Sequence, residues 1–252
     1  MFTSHLPLGM ALAAIVSALA YRAHALTRSG AWAAWIVGTV VFGVGGWAAA
    51  GALLTFFGTS TALSRWRKTR KEVLGYEKGG RRDAGQVLAN GGVAAFCLLL
   101  TLFGVKSGAL LFVAALAAAN ADTWATEIGS ALGVRPVDIR TGRRAETGTS
   151  GAVSLPGTAA ALTGAALLGL FAGSLAAFLI VTLAGLGGAF CDSLLGATVQ
   201  AQWRDPADPK RWTEKAQIGP PGRGVRPVGN DTVNFLCTLA AALLAAGIKR
   251  LL

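Results

Sequence analysis

An apolar run occupies residues 31–62, AWAAWIVGTVVFGVGGWAAAGALLTFFGTSTA, and contains no charged residue. A helix needs only about 20 apolar residues to cross a bilayer, so this run is too long for one crossing. Near its middle stands Gly43-Val44-Gly45-Gly46. Because glycine permits backbone conformations that other residues avoid, we predict two short membrane helices separated by this glycine break.

Further apolar stretches lie on both sides of this run, at residues 6–24, 84–104, 107–131, 151–171, 175–199 and 230–248. The chain is 53% hydrophobic and only 14% charged, whereas soluble domains carry roughly 25% charged residues. This composition excludes a soluble fold. The sequence predicts an all-α integral membrane protein, a single polytopic domain over residues 1–252 with about 7–8 transmembrane helices, some short or broken.

Basic residues mark one face of the predicted bundle. Once the glycine break separates two helices, four loops emerge on that face, at residues 22–30, 64–83, 132–150 and 200–229. These loops hold 20 of the 23 Lys and Arg residues, which places them in the cytoplasm by the positive-inside rule. We therefore expect a protein of the cell (inner) membrane with eight helices and both termini outside.

The formal net charge of +11 does not indicate a nucleic-acid partner. The basic loops lie against anionic lipid headgroups, which attract such charges. No RNA- or DNA-binding motif accompanies them. The basic loop at 64–83 is interpreted as a determinant of topology.

Four acids fall in or at the apolar stretches, namely Asp122, Glu127, Asp192 and Asp231. A carboxylate at the centre of a membrane helix costs about 2.5–3.5 kcal/mol, and such residues are functional by default. At about 1.5 Å per residue, the first three and Asn90 lie about 6–14 Å from the cytoplasmic ends of their helices. We predict one shared cavity that opens to the cytoplasm.

The densest polar stretch is NADTWATEIG at residues 120–129. In a helix, Asn120, Thr123 and Glu127 share one face and Asp122 lies on the adjoining one. Hydrogen bonding between helices is the plainer interpretation. Asn and Thr would suffice for that, so the two acids favour cation binding.

A second stretch, GGAFCDSLLGATVQ at residues 187–200, places Gly188, Asp192, Gly196 and Gln200 on one stripe. Small residues predict close contact with a neighbouring helix. The acid predicts a functional role in the space between the helices. The two interpretations are compatible.

The last helix opens with NDTVN at residues 230–234, where Asn230 and Asn234 are one turn apart. Asp231 alone could be an N-terminal acid that the helix dipole favours. Beside the other acids, a metal ligand is the better interpretation.

The loop from Arg140 to Gly151 runs into residues 152–158, where we predict a helix start. Basic side chains, a glycine-rich backbone and a helix N-terminus together favour an anion. Attraction to lipid headgroups would explain the arginines alone. The loop residues that are rich in Gly, Ser and Thr favour a phosphate site instead.

Four of these stretches resemble, in matching order, the membrane family long called domain of unknown function 92. They are residues 120–129, 141–158, 192–197 and 230–235. That family includes plant phytyl-phosphate kinase. The resemblance implies a kinase that converts a prenyl monophosphate of the phytyl or geranylgeranyl type to the diphosphate with a nucleoside triphosphate. It also implies a kinship with CTP-using lipid enzymes. The expected partners are the prenyl-phosphate lipid, the triphosphate and membrane lipids, and a homo-oligomer stays open.

The chemistry of such a reaction fits the polar residues. A phosphate monoester has its second pKa near 6, so the acceptor oxygen needs no catalytic base at about neutral pH. Mg²⁺ takes oxygen ligands, usually one or two carboxylates and substrate phosphates. We assign metal binding to Asp122, Glu127, Asp192, Asp231, Asn120 and Asn230, with the first three as the catalytic residues. We assign phosphate binding to Arg140, Arg143, Arg144, Ser154, Thr158 and Asn90.

Two other functions stay open at the level of the sequence. A CTP-dependent lipid-phosphate cytidylyltransferase needs the same metal and anion sites, and only its product differs. A lipid or ion transporter belongs to another class. It predicts polar residues on both sides of the bilayer midplane, whereas those in this sequence fall on one side.

Overall fold

A computed structural model describes residues 6–66, 81–206 and 212–252. This part of the chain holds eight α-helices. They are α1 (Leu6–Arg22), α2 (Arg28–Val44), α3 (Gly46–Trp66), α4 (Ala84–Leu102), α5 (Gly108–Ala131), α6 (Leu155–Gly169), α7 (Leu175–Thr198) and α8 (Asn230–Leu251). The predicted all-α fold is confirmed.

The remaining regular structure is short. A 3-10 turn at Leu170–Ala172 extends α6. Two antiparallel strand pairs lie in the loops: β1 (Val137–Asp138) with β2 (Ala152–Val153), and β3 (Trp203–Arg204) with β4 (Trp212–Thr213).

The glycine break lies where the sequence predicts it. Helix α2 ends at Val44 and α3 begins at Gly46, with Gly45 between them. Gly46 has a φ of +67°, a left-handed conformation that favours glycine. A Cβ on Gly45 would lie 2.9 Å from Cδ1 of Leu98 on α4, so a side chain does not fit there. The two glycines therefore serve different purposes at the same corner.

Five helices are long and apolar enough to cross a membrane: α4, α5, α6 with its 3-10 turn, α7 and α8, with mean hydropathies of 1.3 to 1.9. Helices α1 and α2 are also apolar, with 17 residues each, or about 25 Å of length. Large apolar side chains cover the outside of the bundle; Trp47, for example, is 85% exposed. The protein is a multi-span membrane protein.

Helix α5 occupies the centre of the bundle and contacts α3, α4, α6, α7 and α8. Its segment Ala114–Ala119 is almost fully buried. Small residues on the neighbours permit this close packing. A Cβ on Gly185 would lie 2.8 Å from Cβ of Ala117, and one on Gly164 would lie 3.0 Å from the indole of Trp124. The central position of α5 directs its polar C-terminal half into the interior.

The basic loops meet at one end of the bundle. The backbone N–H of Thr27 donates to the carbonyl oxygen of Arg82, and the N–H of Arg82 donates to that of Ala25, both at 2.9 Å. These bonds join the loop after α1 to the segment before α4, as the predicted glycine break requires. Residues 67–80, with most of the basic residues predicted for the 64–83 loop, lie outside the described residues.

Candidate functional site

A polar cavity of about 260 Å³ lies at this end of the bundle. Its lining brings together side chains that are far apart in the sequence. The polar side chains of the lining are Ser64, Arg82, Gln86, Asn90, Asp122, Thr123, Thr126, Glu127, Ser130, Thr147, Thr149, Ser150, Ser154, Thr158, Asp192, Ser193, Gln200, Glu214, Asn230 and Asn234. Of the side chains predicted to share one cavity, Asn90, Asp122, Glu127 and Asp192 line it, whereas Asp231 does not.

Seven of the predicted site residues line this cavity, and they come from five helices and one helix cap. They are Asn90, Asp122, Glu127, Ser154, Thr158, Asp192 and Asn230. The other five do not line it. These are Asn120, Asp231, Arg140, Arg143 and Arg144.

Glu127 is buried on α5, with only 2% of its surface exposed. The hydroxyl of Ser64, near the end of α3, donates to Oε1 of Glu127 at 2.7 Å. The Arg82 guanidinium is close enough to interact electrostatically with this carboxylate. A carboxylate so deep in the bundle is stabilised by a hydroxyl donor and a cation from two other chain segments.

Arg82 is a cavity residue that the sequence interpretation assigned to topology alone. One of its terminal nitrogens donates to Oγ1 of Thr61 at 2.9 Å, and its guanidinium lies 5.3 Å from the ring centre of Phe57. Burial lowers the pKa of Arg82 to about 10, against the opposing effect of Glu127. The side chain therefore stays cationic at neutral pH and supplies the cavity with a half-buried positive charge.

Asp192 lines the cavity from α7. It is close enough to Asp122 of α5 and to Glu214 of the loop before α8 to interact electrostatically with both carboxylates. Its Oδ2 atom is buried and accepts no hydrogen bond from the described residues. Oε1 of Glu214 accepts a hydrogen bond of 2.6 Å from the hydroxyl of Ser150. Three carboxylates from distant chain segments thus approach one another at the cavity wall.

Glu214 is a second residue that sequence reasoning missed. It lies directly after β4, in a loop where an acid next to many basic residues needs no special explanation. Gln200 is buried at the cavity, but it lies two residues beyond the end of α7, in a β-bridge with Val225, so the predicted helical stripe ends before it. The part of the stripe on α7 packs closely, as predicted. A Cβ on Gly188 would lie 2.9 Å from the carbonyl oxygen of Cys237, and one on Gly196 would lie 3.2 Å from the backbone nitrogen of Gly151.

Asn120 belongs to the packing between helices rather than to the cavity lining. Its Nδ2 donates to the carbonyl oxygen of Gly164 at 2.8 Å, and its Oδ1 accepts from Thr59 at 3.1 Å and from Ser60 at 3.4 Å. The side chain is fully buried. Because both ends of the amide have partners in α3 and α6, the hydrogen-bonding interpretation describes Asn120.

Asp231 lies at the start of α8 against the start of α4. Its Oδ2 lies so close to Gly85 that a Cβ on that residue would clash with it. The first turns of both helices therefore lie near the same carboxylate, an arrangement that helix dipoles favour. Its neighbour Asn230 and the residue one turn later, Asn234, face the cavity instead.

The three predicted arginines occupy an exposed turn between β1 and β2. This turn is organised by Asp138, whose Oδ1 accepts from the backbone N–H groups of Arg140 and Thr141 at 2.9 and 3.2 Å. Burial alone would raise the pKa of Asp138, but these bonds and the charge of Arg140 lower it overall. The turn holds Arg140, Arg143 and Arg144 at the surface, outside the cavity lining.

The segment that reaches the cavity is the second half of this loop, residues 147–153, followed by the N-terminus of α6. Helix α6 begins at Leu155, within the stretch 152–158 where a helix start is predicted, because residues 152–153 form β2 and Ser154 caps the helix. The cap is a hydrogen bond of 3.2 Å from the Gly157 backbone N–H to Oγ of Ser154. Helix α6 can start this close to α5 since Gly129 and Gly157 face each other without side chains.

The donor set suits a hard cation. Carboxylate, amide and hydroxyl oxygens predominate, and Oδ2 of Asp192 is buried without a donor among the described residues. Within residues 6–66, 81–206 and 212–252, three or more His, Cys, Asp or Glu side chains do not form a group that could hold a metal ion by itself. Magnesium usually takes only one or two carboxylates and completes its shell with water and substrate phosphates. A metal ion bound here would therefore need further ligands from water or from a bound molecule.

Comparison with known proteins finds relatives over most of the chain. It is 30% identical to Protein PGR of Arabidopsis thaliana over an alignment 274 residues long, which covers 93% of each chain. It is 30% identical to an uncharacterized membrane protein of Synechocystis over 235 residues, or 89% of this chain and 83% of the relative. It is also 30% identical to the chloroplastic Protein VTE6 of Arabidopsis thaliana over 192 residues, or 69% and 56%. No solved structure matches the chain.

The match to a protein family spans residues 11–242, and this range contains every residue of the cavity lining. The family is described as Integral membrane protein DUF92. Its extent agrees with the coverage of the relatives and with the resemblance carried by the four polar stretches. The chain belongs to the DUF92 family of integral membrane proteins.

Proposed function

We propose that this protein is a membrane-embedded kinase. It transfers a phosphoryl group from a nucleoside triphosphate, with CTP as the first candidate, to a prenyl monophosphate and forms the diphosphate. The observation that carries the proposal is the polar cavity, where Asp122, Glu127 and Asp192 meet Arg82 and the N-terminus of α6 inside a bundle of membrane helices. Family membership supports it, because the family includes a phytyl-phosphate kinase.

The reaction demands little covalent help from the protein. The lipid phosphate is ionised near neutral pH, so one of its oxygens attacks the γ-phosphorus without a base. A new P–O bond forms as the bond from the γ-phosphorus to the β,γ-bridging oxygen breaks, and the nucleoside diphosphate leaves with the bridging oxygen. Catalysis then consists of aligning the two polyanions and offsetting their repulsion.

Each part of the cavity has a role in this scheme. Asp122 and Asp192 would hold Mg²⁺, and Asn230 would assist them. When bound, the metal would offset the charge of the triphosphate oxygens. Arg82 would bind the lipid phosphate, and Glu127 would fix the direction of its guanidinium. Three further cavity residues, Asn90, Ser154 and Thr158, would donate hydrogen bonds to phosphate oxygens.

The exposed turn would act earlier than the cavity. Arg140, Arg143 and Arg144 lie at the surface beside the loop that enters the cavity. Their charges would attract a triphosphate from solution and slow its departure. Since the positive-inside rule assigns the basic loops to the cytoplasm, the cavity would face the pool of cellular nucleotides.

The test is turnover by the purified protein in lipid nanodiscs with Mg²⁺, each of the four common nucleoside triphosphates, and prenyl monophosphates that range from geranyl through geranylgeranyl to phytyl phosphate. The proposal predicts prenyl diphosphate and nucleoside diphosphate, identified by mass spectrometry. A nucleotide-linked lipid with pyrophosphate would instead establish a cytidylyltransferase. No reaction with any triphosphate, for geranyl through phytyl phosphates, would refute both enzymes.

A further inference from the structure

A second cavity, of about 70 Å³, lies between α1, α2, α3 and α4 and is lined almost entirely by apolar side chains. Its walls include Val16 of α1, Ala34 and Phe42 of α2, and Phe57 of α3. We propose that this apolar cavity binds the hydrocarbon chain of the lipid phosphate whose headgroup enters the polar cavity. This inference rests on the proposed function for the identity of the lipid, but not for its test.

The two cavities adjoin each other through shared residues. Arg82, Gln86 and Asn90 line both. The boundary between an apolar space and a polar one therefore consists of one cation and two amides. A molecule that extends across this boundary is apolar at one end and carries a hydrogen-bonding anion at the other, as a prenyl phosphate does.

The position of Arg82 suits such a boundary, because the residue lines both cavities. Its guanidinium is held over Phe56 and Phe57, with 6.0 and 5.3 Å to the ring centres. Both rings line the apolar cavity. The charged head faces Glu127 and the polar side. An ionised phosphate at this point pairs with Arg82 while the first carbons of its chain contact the aromatic rings.

Two glycines in the wall of the apolar cavity, on α2 and α4, leave little room for side chains of their own. A Cβ on Gly38 of α2 would lie 3.1 Å from Cβ of Ala13 and 3.6 Å from the ring of Phe42. A Cβ on Gly91 of α4 would lie 3.3 Å from Val37. At one edge Leu54 of α3 lines the cavity and is 45% exposed on the lipid-facing surface. The remainder of a long chain therefore has a way out into the bilayer.

The experiment is photo-crosslinking in nanodiscs with a farnesyl phosphate analogue that carries a diazirine on its last isoprene unit, without nucleotide. Mass spectrometry is expected to find the label on peptides from α1 to α4. Excess geranylgeranyl phosphate is expected to remove the label, whereas geranylgeraniol at the same concentration leaves most of it. Label on other helices, no specific label, or equal competition by the alcohol would overturn the proposal.

Filling the cavity supplies the matched variants. Ala34→Phe and Val16→Phe each place a larger side chain in the cavity wall, and each is expected to reduce labelling about tenfold or more, because the chain loses its apolar contacts. Ile36→Phe on the lipid-facing side of α2, where residue 36 is 57% exposed, is expected to label as the unaltered protein does. Melting temperatures identify any variant that misfolds. Undiminished labelling in both folded cavity variants would contradict the proposal.

The outcomes separate this inference from the enzymatic function. Label in the apolar cavity without phosphoryl transfer in the turnover assay would retain the tail site and reject the kinase. Phosphoryl transfer with the label elsewhere would retain the kinase and reject the tail site.

Discussion

Gly151→Ala is the substitution whose cost the structure specifies most closely. Gly151 has a φ of +81°, and a Cβ there would lie 2.7 Å from Cα of Ala197 on α7. The left-handed conformation costs about 1–2 kcal/mol for a residue with a side chain. The overlap with a helix backbone adds about 1–3 kcal/mol, because α7 or the loop must shift. We expect the free energy of unfolding to fall by about 2–5 kcal/mol.

The control is Gly142→Ala in the same loop. Gly142 has a φ of +64°, but nothing lies within 4 Å of its hypothetical Cβ. It should lose only the conformational part, about 1–2 kcal/mol. Equilibrium unfolding of both variants in mixed micelles measures the difference. Equal losses would show that the contact between the loop and α7 is not as close as described.

The shift should also reach the cavity. Gly151 adjoins Ser150, whose hydroxyl donates to Glu214 at 2.6 Å. Displacing the loop lengthens this bond, so Gly151→Ala should reduce turnover by more than its remaining folded fraction explains. Gly142→Ala should reduce it only in proportion to the folded fraction.

Three other substitutions test the cavity and the turn. Asp192→Asn should lower turnover of the proposed kinase by about 100-fold or more while the protein still inserts and folds, because a buried ligand loses its charge; retention of full activity would remove Asp192 from the metal site. Ser64→Ala should lower the free energy of unfolding by about 1–3 kcal/mol by depriving the buried Glu127 of a donor, as equilibrium unfolding against the unaltered protein would measure. The pKa of Asp138 in the folded protein lies below its ordinary value of 3.8, so the ionised carboxylate stabilises the fold above pH 3.8, and this stabilisation is lost as the pH falls through the lowered pKa. Acid-unfolding curves of Asp138→Asn should therefore lack this loss of stability, and turnover near neutral pH should be unchanged.

The acids on membrane helices were predictable because their position is expensive. Asp122, Glu127 and Asp192 each interrupt a long apolar stretch, and the cost of burying charge implies that something in the interior stabilises it. The depth of each residue followed from the helical rise alone. All three line the polar cavity.

Arg82 and Glu214 were not predictable by that reasoning, since both lie in loops where charge costs little. What makes them cavity residues is the folding of their loops back over the bundle. Arg82 is fixed by backbone bonds to residues 25 and 27, and Glu214 by Ser150. Contacts over such sequence distances leave no periodic pattern.

Arg140 and Asn120 show the converse difficulty. A basic turn before a helix is typical of an anion site, yet Asp138 closes the turn and leaves Arg140 at the surface. Asn120 shares a helical face with Glu127, but its amide donates a hydrogen bond to the backbone carbonyl oxygen of Gly164 on the neighbouring helix. The spacing of residues in the sequence shows which side of a helix a side chain occupies. Whether that side chain binds a ligand or packs against the protein depends on its partners in other helices and loops.

The partners of Glu127 have a consequence for the way the chain is made. Ser64 and Arg82 both precede Glu127 in the sequence. The hydrogen-bond donor Ser64 and the cation Arg82 are therefore translated before Glu127 enters the bilayer. Asp122 meets Asp192 only after a further 70 residues have been translated, and Glu214 only after 92. The wall formed by α3, α4 and α5 can thus assemble during synthesis, and the opposite wall closes when α7 and α8 arrive.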